Sequence, residues 1–230
     1  MASPLVIAHR GASAEAPENT LAAFRRALAL RVDAIELDVQ LSRDGVPVVF
    51  HDAALRRLTG EPGRLADRTW RQLRRLRVAG REPIPALAEV LRLTRGRAVV
   101  QIELKRGAAV APVLRAVRRA RAEDGVILAS FEAGLVRDAA RLAPGIPRML
   151  ISNGRLPAPV LLRRLLRCGA HGLSVHWRAV RSVKYPRYFH ARGLSVWSWT
   201  VNTRALARRL RARGIDGLLG DNPVLLKPSG

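Results

Sequence analysis

Residues 34–51, AIELDVQLSRDGVPVVFH, contain two runs of β-type residues on either side of Asp44 and Gly45. Asp-Gly is a preferred dipeptide of tight β-hairpins, so the two runs are predicted to pair antiparallel. With Asp44 and Gly45 as the two turn residues, the register places Asp38 opposite His51. The hairpin therefore predicts that an imidazole lies beside a carboxylate.

Similar β-type runs recur along the chain and alternate with segments of helical spacing. The predicted strands are residues 5–9, 34–39, 46–51, 98–104, 126–130, 148–151, 172–175, 194–201 and 217–219. The predicted helices are residues 20–30, 85–93, 108–121, 132–142, 157–167 and 203–213. Such alternation is typical of βα units on a parallel sheet.

Setting aside the antiparallel return strand 46–51 leaves eight βα-compatible strands, the number in a TIM-type barrel. The sequence thus predicts an α/β protein with a TIM-type (β/α)8 barrel, a β-hairpin after strand 2, and a small insertion at about residues 52–83 that contains a short helix over 67–77. An open doubly wound sheet is the alternative, but no Gly-x-Gly-x-x-Gly follows the first strand. We expect one domain over residues 1–230.

Length and composition bound the class of protein. The 230 residues are 48% hydrophobic, enough for one sizeable core and unlike a disordered or collagen-like chain. No apolar run approaches the roughly 20 residues of a membrane span, and residues 1–6 lack the features of a secretory signal. The single cysteine, Cys168, is consistent with a reducing compartment. We therefore expect a cytoplasmic protein without a membrane span.

The charge balance predicts a negatively charged partner or substrate. The chain has 41 basic and 18 acidic residues, a net charge of +23, and because only three of the basic residues are lysine, 38 are arginine. These arginines are spread over most predicted helices, and aromatic residues make up only 4% of the chain. A nucleic-acid-binding protein usually concentrates its charge on one face, so we predict no specific nucleic-acid partner and leave the oligomeric state open.

Acidic residues interrupt two buried strands. Glu36 and Asp38 lie two apart and therefore share one face of their strand, and Gln101, Glu103 and Lys105 do the same in the strand 98–104. In a barrel, the shared face is the lumen, where uncompensated carboxylates would be costly. A divalent cation held by oxygen ligands, Mg²⁺ or Ca²⁺, would resolve the conflict. The alternative is neutralisation of the carboxylates by Lys105 and nearby arginines.

Two histidines end strands at the edge where barrel enzymes keep their catalytic loops. His9 ends the first strand and His51 ends the hairpin strand, which favours a general acid and base, although a lone histidine at a strand end is more often structural. Arg10 precedes a glycine and suits a bidentate phosphate contact, and Lys105 offers a second positive charge. The remaining histidines are predicted to be structural or superficial: His171, His176 and His190.

Two other segments border the predicted site. Trp197 and Trp199 alternate along one strand, and Trp199 is predicted to wall a small-molecule pocket, with core filling as the alternative. In Pro17-Glu-Asn-Thr20, Asn19 or Thr20 is expected to cap the following helix, while Glu18 could reach the site.

The chain resembles the glycerophosphodiester phosphodiesterases, and the matching pieces follow the family order from residue 9 to residue 223. They are His9-Arg-Gly-Ala, Pro17-Glu-Asn-Thr-Leu-Ala-Ala-Phe24, Ile35-Glu-Leu-Asp-Val39, Asp44-Gly45, Val48-Val-Phe-His-Asp52, Ile84-Pro85, Leu87, Ile102-Glu-Leu-Lys105, Ser130-Phe131, Trp199-Thr-Val-Asn202, Gly214-Ile-Asp-Gly217, Asp221 and Pro223. The departures are Leu58, Ala86, Ala88 and Gly220. Of these, Gly220 lies directly before Asp221 in the last barrel loop, where the family usually has a threonine.

The resemblance implies a TIM-type barrel and a metal-dependent hydrolysis of glycerophosphodiesters to sn-glycerol 3-phosphate and an alcohol. It implies His9 and His51 as acid and base, metal ligation by Glu36, Asp38 and Glu103, and phosphate contacts from Arg10 and Lys105. Attack by a glycerol hydroxyl, through a cyclic phosphate, and direct attack by water both remain open.

Two other functions compete with this one. A lysophospholipase D-like phosphodiesterase would use the same residues, but it needs an apolar entrance, and residues 52–83 are rich in arginine with only scattered apolar side chains. A basic module that binds nucleic acid or anionic lipid would not need the carboxylates and histidines. A small anionic glycerophosphodiester is therefore the predicted substrate.

Overall fold

Eight parallel strands close into a barrel in the computed structural model, which describes residues 3–228. These residues contain eleven strands, of which β3, β4 and β5 lie outside the barrel: β1 (Leu5–His9), β2 (Ala34–Leu41), β3 (Pro47–Val49), β4 (Arg77–Val78), β5 (Glu82–Pro83), β6 (Val99–Leu104), β7 (Val126–Ser130), β8 (Arg148–Ser152), β9 (Gly172–His176), β10 (Ser195–Trp199) and β11 (Gly217–Gly220). The sheet order is β1-β11-β10-β9-β8-β7-β6-β2, and pairing of β1 with β2 closes the ring. The predicted TIM-type barrel is confirmed.

Helices connect the barrel strands on the outside. They are α1 (Leu21–Ala29), α2 (Arg56–Thr59), α3 (Trp70–Leu73), α4 (Leu87–Thr94), α5 (Val110–Arg119), α6 (Ala133–Leu142), α7 (Ala158–Cys168), α8 (Lys184–His190) and α9 (Arg204–Ala212). All six predicted helices are present, and each observed bound lies within two residues of the predicted one. The sequence did not predict α8, because it spans only seven residues and carries Pro186 within its first turn.

The hairpin of β2 and β3 has a different register from the predicted one. Gln40 pairs with Val48, and the Phe50 N–H donates to the Asp38 carbonyl at 2.9 Å, so Asp38 lies opposite Phe50 and not His51. The turn has three residues instead of two, because the Ser42 N–H donates to the Val46 carbonyl and Gly45 lies in the left-handed region. The predicted pairing was therefore wrong by one residue.

The insertion forms a small unit above the hairpin. It holds α2, α3 and the short β4–β5 hairpin, and the helix predicted over 67–77 is limited to α3, where Thr69 and Gln72 form a capping box. A separate apolar cluster holds this unit on the barrel; its buried members are Val48, Phe50, Leu55, Leu65, Leu73, Val78 and Ile84. The insertion is thus packed against the strand that leads to His51.

Apolar side chains fill the lower part of the barrel lumen. This group is Ile7, Ala34, Ala129, Met149, Ile151, Trp197 and Leu219. The polar residues of the same strands lie further along, toward the carboxyl ends, so the chemistry is confined to one end of the barrel. Within residues 3–228, no helix has the length and apolar character that crossing a membrane requires. The expectation of one domain over 1–230 stays a prediction, and residues 1–2 and 229–230 lie outside the described residues.

Candidate active site

Three buried carboxylates meet at the carboxyl end of adjacent strands β2 and β6. Asp38 and Glu103 are register partners, and Glu36 lies one alternation earlier on the same face of β2. Their exposed fractions are 3% for Glu36, 1% for Asp38 and 8% for Glu103. One oxygen from each carboxylate lies within 4.8 Å of an oxygen from each of the others. The predicted set of oxygen ligands is therefore brought together in space.

Two positively charged side chains, those of Lys105 and Arg10, reach this cluster, and both contact Asp38. Lys105 Nζ lies 3.2 Å from Asp38 Oδ1 and 2.6 Å from Glu103 Oε1, and Arg10 Nε lies 3.3 Å from Asp38 Oδ2. The alternative of neutralisation by Lys105 and arginine is thus partly realised. Burial raises the pKa of Asp38, but Lys105 and Arg10 outweigh it and hold that pKa below its usual range.

Glu36 does not share in this neutralisation. Its carboxylate accepts the Arg10 backbone N–H at 3.0 Å and forms no ion pair with any side chain of residues 3–228. Burial and the neighbouring charge of Asp38 raise the pKa of Glu36 to about 8, and the same two causes raise the pKa of Glu103. An all-oxygen cluster with one uncompensated carboxylate fits a hard divalent cation.

Each predicted catalytic histidine is held at Nδ1 by a carboxylate. His9 Nδ1 lies 2.7 Å from Asp221 Oδ1, and His51 Nδ1 lies 2.6 Å from Asp52 Oδ1. Such a contact fixes the ring orientation and leaves Nε2 free for proton transfer. Asn202 in turn donates to Asp221 at 2.6 Å.

The two histidines differ in their electrostatic surroundings. Burial lowers the pKa of His9, but the hydrogen bond to Asp221 and the charge of Glu36 outweigh it, so the pKa of His9 is raised overall. For His51, burial outweighs the charge of Asp38 and the bond to Asp52, with Lys105 adding repulsion, so its pKa is lowered. Opposite shifts in one site are typical of an acid paired with a base.

A chain of ion pairs ties the insertion to the site. Arg10 Nη1 donates to Glu18 Oε1 at 2.8 Å, and both terminal nitrogens of Arg57 donate to the same carboxylate at 2.8 and 3.0 Å. Arg57 also contacts Asp52, the partner of His51. Glu18 therefore does reach the site, where it joins Arg10 to an arginine of α2.

The segment before α1 supports the carboxylates directly. Thr20 is the helix cap and accepts the Ala23 N–H, whereas the buried Asn19 donates to Asp38 Oδ2 at 2.8 Å. The capping alternatives are thus resolved in favour of Thr20. Close packing fixes this segment, because Gly11 has φ +82° and a Cβ there would lie 2.7 Å from the Ala23 Cβ.

A cavity of about 260 Å³ joins these groups. Its lining residues are His9, Arg10, Glu36, His51, Gln101, Glu103, Lys105, Phe131, Ile151, Ser174, Trp199 and Leu219. Trp199 stands edge-on to Phe131 and to His176, with ring centroids 5.8 and 5.2 Å apart, and forms a wall of the cavity, while Trp197 is buried in the lumen. Gln101 and Ser174 present buried polar atoms with no hydrogen-bond partner among residues 3–228.

The family model for the glycerophosphoryl diester phosphodiesterases matches residues 9–225. The chain belongs to this family. It is 34% identical to a glycerophosphodiester phosphodiesterase of Caldanaerobacter subterraneus subsp. tengcongensis, with 96% of each chain covered. A second relative, a glycerophosphodiester phosphodiesterase of Bacillus altitudinis, is 30% identical over 95% of this chain and 94% of its own length. The chain is accordingly an enzyme of phosphodiester hydrolysis.

Solved structures of the family share the fold over almost the whole chain. A phosphodiesterase of Oleispira antarctica, solved in complex with its product sn-glycerol-3-phosphate, has a TM-score of 0.90 and 29% identity, with 97% of this chain and 95% of that chain covered. The glycerophosphodiester phosphodiesterase of Thermotoga maritima has a TM-score of 0.85 and 28% identity, with 98% of each chain covered.

Sequence reasoning missed several residues of this phosphodiesterase site. Asp221 was known only as part of a matching motif, and its pairing with His9 spans 212 positions of the chain. Arg57 gave no signal among so many arginines, and Phe131, like Asp221, was named only as part of a matching motif. Gln101 could have been assigned to the site, because the sequence already places it on the same strand face as Glu103, and the structure shows that its side chain is fully buried.

Proposed function

We propose that this enzyme hydrolyses small glycerophosphodiesters to sn-glycerol 3-phosphate and an alcohol in a cation-dependent reaction, with His9 and His51 as acid and base. One observation carries the proposal: the three carboxylates and the two carboxylate-held histidines border a single cavity at the carboxyl end of the barrel. The product complex of the Oleispira antarctica relative supports a substrate that contains glycerol 3-phosphate.

Glu36, Asp38 and Glu103 would hold the cation, Mg²⁺ or Ca²⁺. When bound, a divalent cation polarises phosphate oxygens and makes nearby hydroxyl groups more acidic. The carboxylate of Glu36 is the strongest support, because it is buried and forms no ion pair with a side chain of residues 3–228. Asn19 donates to Asp38 Oδ2 and keeps this carboxylate in place.

The two histidines would move protons in opposite directions. His51, with its lowered pKa, is neutral near pH 7 and takes a proton from the attacking hydroxyl of glycerol or water. His9, with its raised pKa, gives a proton to the oxygen of the departing alcohol. Asp221 and Asp52 keep both rings oriented through Nδ1 during these transfers.

Arg10 and Lys105 would bind the phosphate, whose negative charge grows as the attack proceeds. Both line the cavity beside the carboxylates, and their side chains are already ordered by ion pairs to Asp38. At the inner end of the cavity, Gln101 and Ser174 offer unsatisfied polar atoms that would pair with glycerol hydroxyls. Trp199 closes the side of the cavity against solvent.

Lysophospholipase D-like cleavage of an acylated substrate is the second candidate. The apolar side chains of the cavity are Phe131, Ile151, Trp199 and Leu219, but its volume of about 260 Å³ leaves no room for a long acyl chain inside. A small, water-soluble diester is therefore favoured. The absence of a specific nucleic-acid partner and the cytoplasmic location stay predictions.

A coupled assay for released glycerol 3-phosphate tests the proposal. The substrates are glycerophosphocholine, glycerophosphoethanolamine and glycerophosphoinositol, each assayed with and without EDTA and after Mg²⁺ or Ca²⁺ is restored. We expect release that EDTA abolishes and added cation restores. Glu36→Gln, which keeps the shape of the side chain, should lower kcat/KM at least a hundredfold, about 3 kcal/mol. Full activity in excess EDTA would refute the cation-dependent mechanism.

A further inference from the structure

A large groove lies beside the cavity, between the loops that follow β8 and β9. Its volume is about 790 Å³, and its lining includes the side chains of Arg155, Arg178 and Arg181 together with His176 and Tyr185. All three arginines are exposed, and no carboxylate contributes to the lining. The groove is therefore uniformly cationic or neutral, and it favours an anion as its occupant.

The three guanidinium groups are not engaged elsewhere in the part of the chain that is described. None of them forms an ion pair with a carboxylate of residues 3–228, unlike Arg10 and Arg57 in the active site. Arg178 stacks over the Trp177 ring at 5.1 Å, which orients its guanidinium without neutralising it. The Tyr185 hydroxyl adds a buried polar atom without a hydrogen-bond partner in residues 3–228.

The walls of the groove are fixed by close packing. Gly154 has φ +76°, and a Cβ at this position would overlap the Ala179 side chain, so only glycine lets the loop after β8 lie against the turn after β9. The Gly154 N–H donates to Ser152 Oγ at 3.1 Å, and the Arg155 N–H donates to Asn153 Oδ1 at 3.1 Å. The arginines thus project from ordered loops.

The groove borders the active-site cavity, although the two have no lining residue in common. His176 lines the groove, and its ring contacts Trp199, a wall of the cavity, with 5.2 Å between ring centroids. Strands β8 and β9 supply Ile151 and Ser174 to the cavity and then lead directly into the loops that form the groove. A substituent that leaves the cavity past Trp199 therefore meets the arginines.

Arginine-rich composition alone produces similar grooves, so position is what distinguishes this one. Another groove, of about 370 Å³, is lined by Arg92, Arg115 and Arg119, also without a carboxylate, but it lies between the outer helices α4 and α5 and the turn before β3. On the opposite side of the cavity mouth, a groove contains Glu18 and Asp221 and is not purely cationic. The groove of Arg92, Arg115 and Arg119 therefore provides a matched control for an experiment.

We infer that the groove of Arg155, Arg178 and Arg181 is an anion subsite for a phosphate group carried by the alcohol part of the substrate. The inference rests on the proposed function and narrows its substrate class to glycerophosphodiesters whose alcohol bears a further phosphate. Arginine binds phosphate through paired N–H donors, and three such groups around one groove match a phosphomonoester of charge near −2.

The test compares two substrates that differ only in the added phosphate, glycerophosphoinositol and glycerophosphoinositol 4-phosphate. The readout is the ratio of their kcat/KM values at 150 mM salt, where long-range attraction is screened. We expect the wild-type enzyme to prefer the phosphorylated substrate at least tenfold. The triple variant Arg155→Gln, Arg178→Gln, Arg181→Gln should reduce this ratio to about one.

The control variant is Arg92→Gln, Arg115→Gln, Arg119→Gln, which removes the same charge from the separate groove. It should keep the wild-type ratio, and thermal unfolding should confirm that both variants are folded. A wild-type ratio near one, or equal losses in the two triple variants, would overturn the subsite. Absence of glycerol 3-phosphate release from both substrates in the presence of cation would instead refute the proposed function itself.

Discussion

Cation binding to the carboxylate cluster should depend steeply on pH, because Glu36 must lose a proton first. This carboxyl is 3% exposed, and its pKa is raised to about 8 by burial and by Asp38. Only the ionised carboxylate binds a metal ion. Below pH 8 the cation therefore displaces a proton, and above pH 8 it does not.

The size of the pH effect on cation binding follows from the pKa of Glu36. At pH 7 the protonated form of Glu36 exceeds the ionised form by about tenfold, and at pH 6 by about a hundredfold. The apparent Kd for Ca²⁺ or Mg²⁺ should accordingly weaken by about tenfold, ~1.4 kcal/mol, for each pH unit below 8. The raised pKa of Glu103 acts in the same direction.

Isothermal titration calorimetry measures the apparent Kd of the cation and the number of protons that its binding releases. Titrations at pH 6, 7 and 8 give the apparent Kd, and repetition at pH 7 in buffers of different ionisation enthalpy gives the number of protons released, which should be about one per cation. Glu36→Gln, which has no proton to lose, should bind more weakly but with a much flatter pH dependence. An apparent Kd in the wild-type protein that is the same at pH 6 and pH 8 would refute the reasoning.

Three other outcomes are expected. At saturating cation, which removes the effect of Glu36, the pH profile of kcat/KM should be bell-shaped, since His51 must be neutral and His9 protonated. The acid limb should lie below 6.5 and the alkaline limb above it, and Asp221→Asn should move the alkaline limb to lower pH. His9→Ala and His51→Ala should each reduce kcat by about 10² to 10⁴, and additive free energies in the double variant would contradict a concerted pair. Gly11→Ala should lower the free energy of unfolding by about 2–4 kcal/mol, seen as a Tm lower by roughly 5–15 °C, because φ is positive and a Cβ would overlap α1. Gly45→Ala, also at positive φ but in open space, should lower it much less. Equal losses of stability in the two variants would argue against the packing explanation.

Much of the site could be predicted because polar residues violated the expected pattern of a buried strand. Glu36, Asp38 and Glu103 stand where a parallel strand should be apolar, and the period of two shows that they share a face. The βα alternation then placed these residues in one barrel. Local periodicity and chain order were enough for both conclusions.

What could not be predicted depends on turn geometry and on contacts between distant segments. Asp-Gly is compatible with both two-residue and three-residue turns, so the predicted hairpin register was wrong by one residue. His51 nevertheless reaches the site because it follows β3 in a loop and is oriented by Asp52. No local pattern could single out Arg57, whose importance comes only from the two carboxylates that it joins.

The pairing of His9 with Asp221 also has a consequence for the time at which the enzyme becomes active during its synthesis. These partners belong to β1 and to the residue just after β11, and 212 positions separate them. During translation, a growing chain carries both histidines and all three carboxylates before half of it has been made, yet His9 has no carboxylate at Nδ1 until β11 emerges and pairs with β1. Since folding proceeds from the N-terminal end during synthesis, the nascent barrel should remain inactive until its final strand, β11, closes the ring.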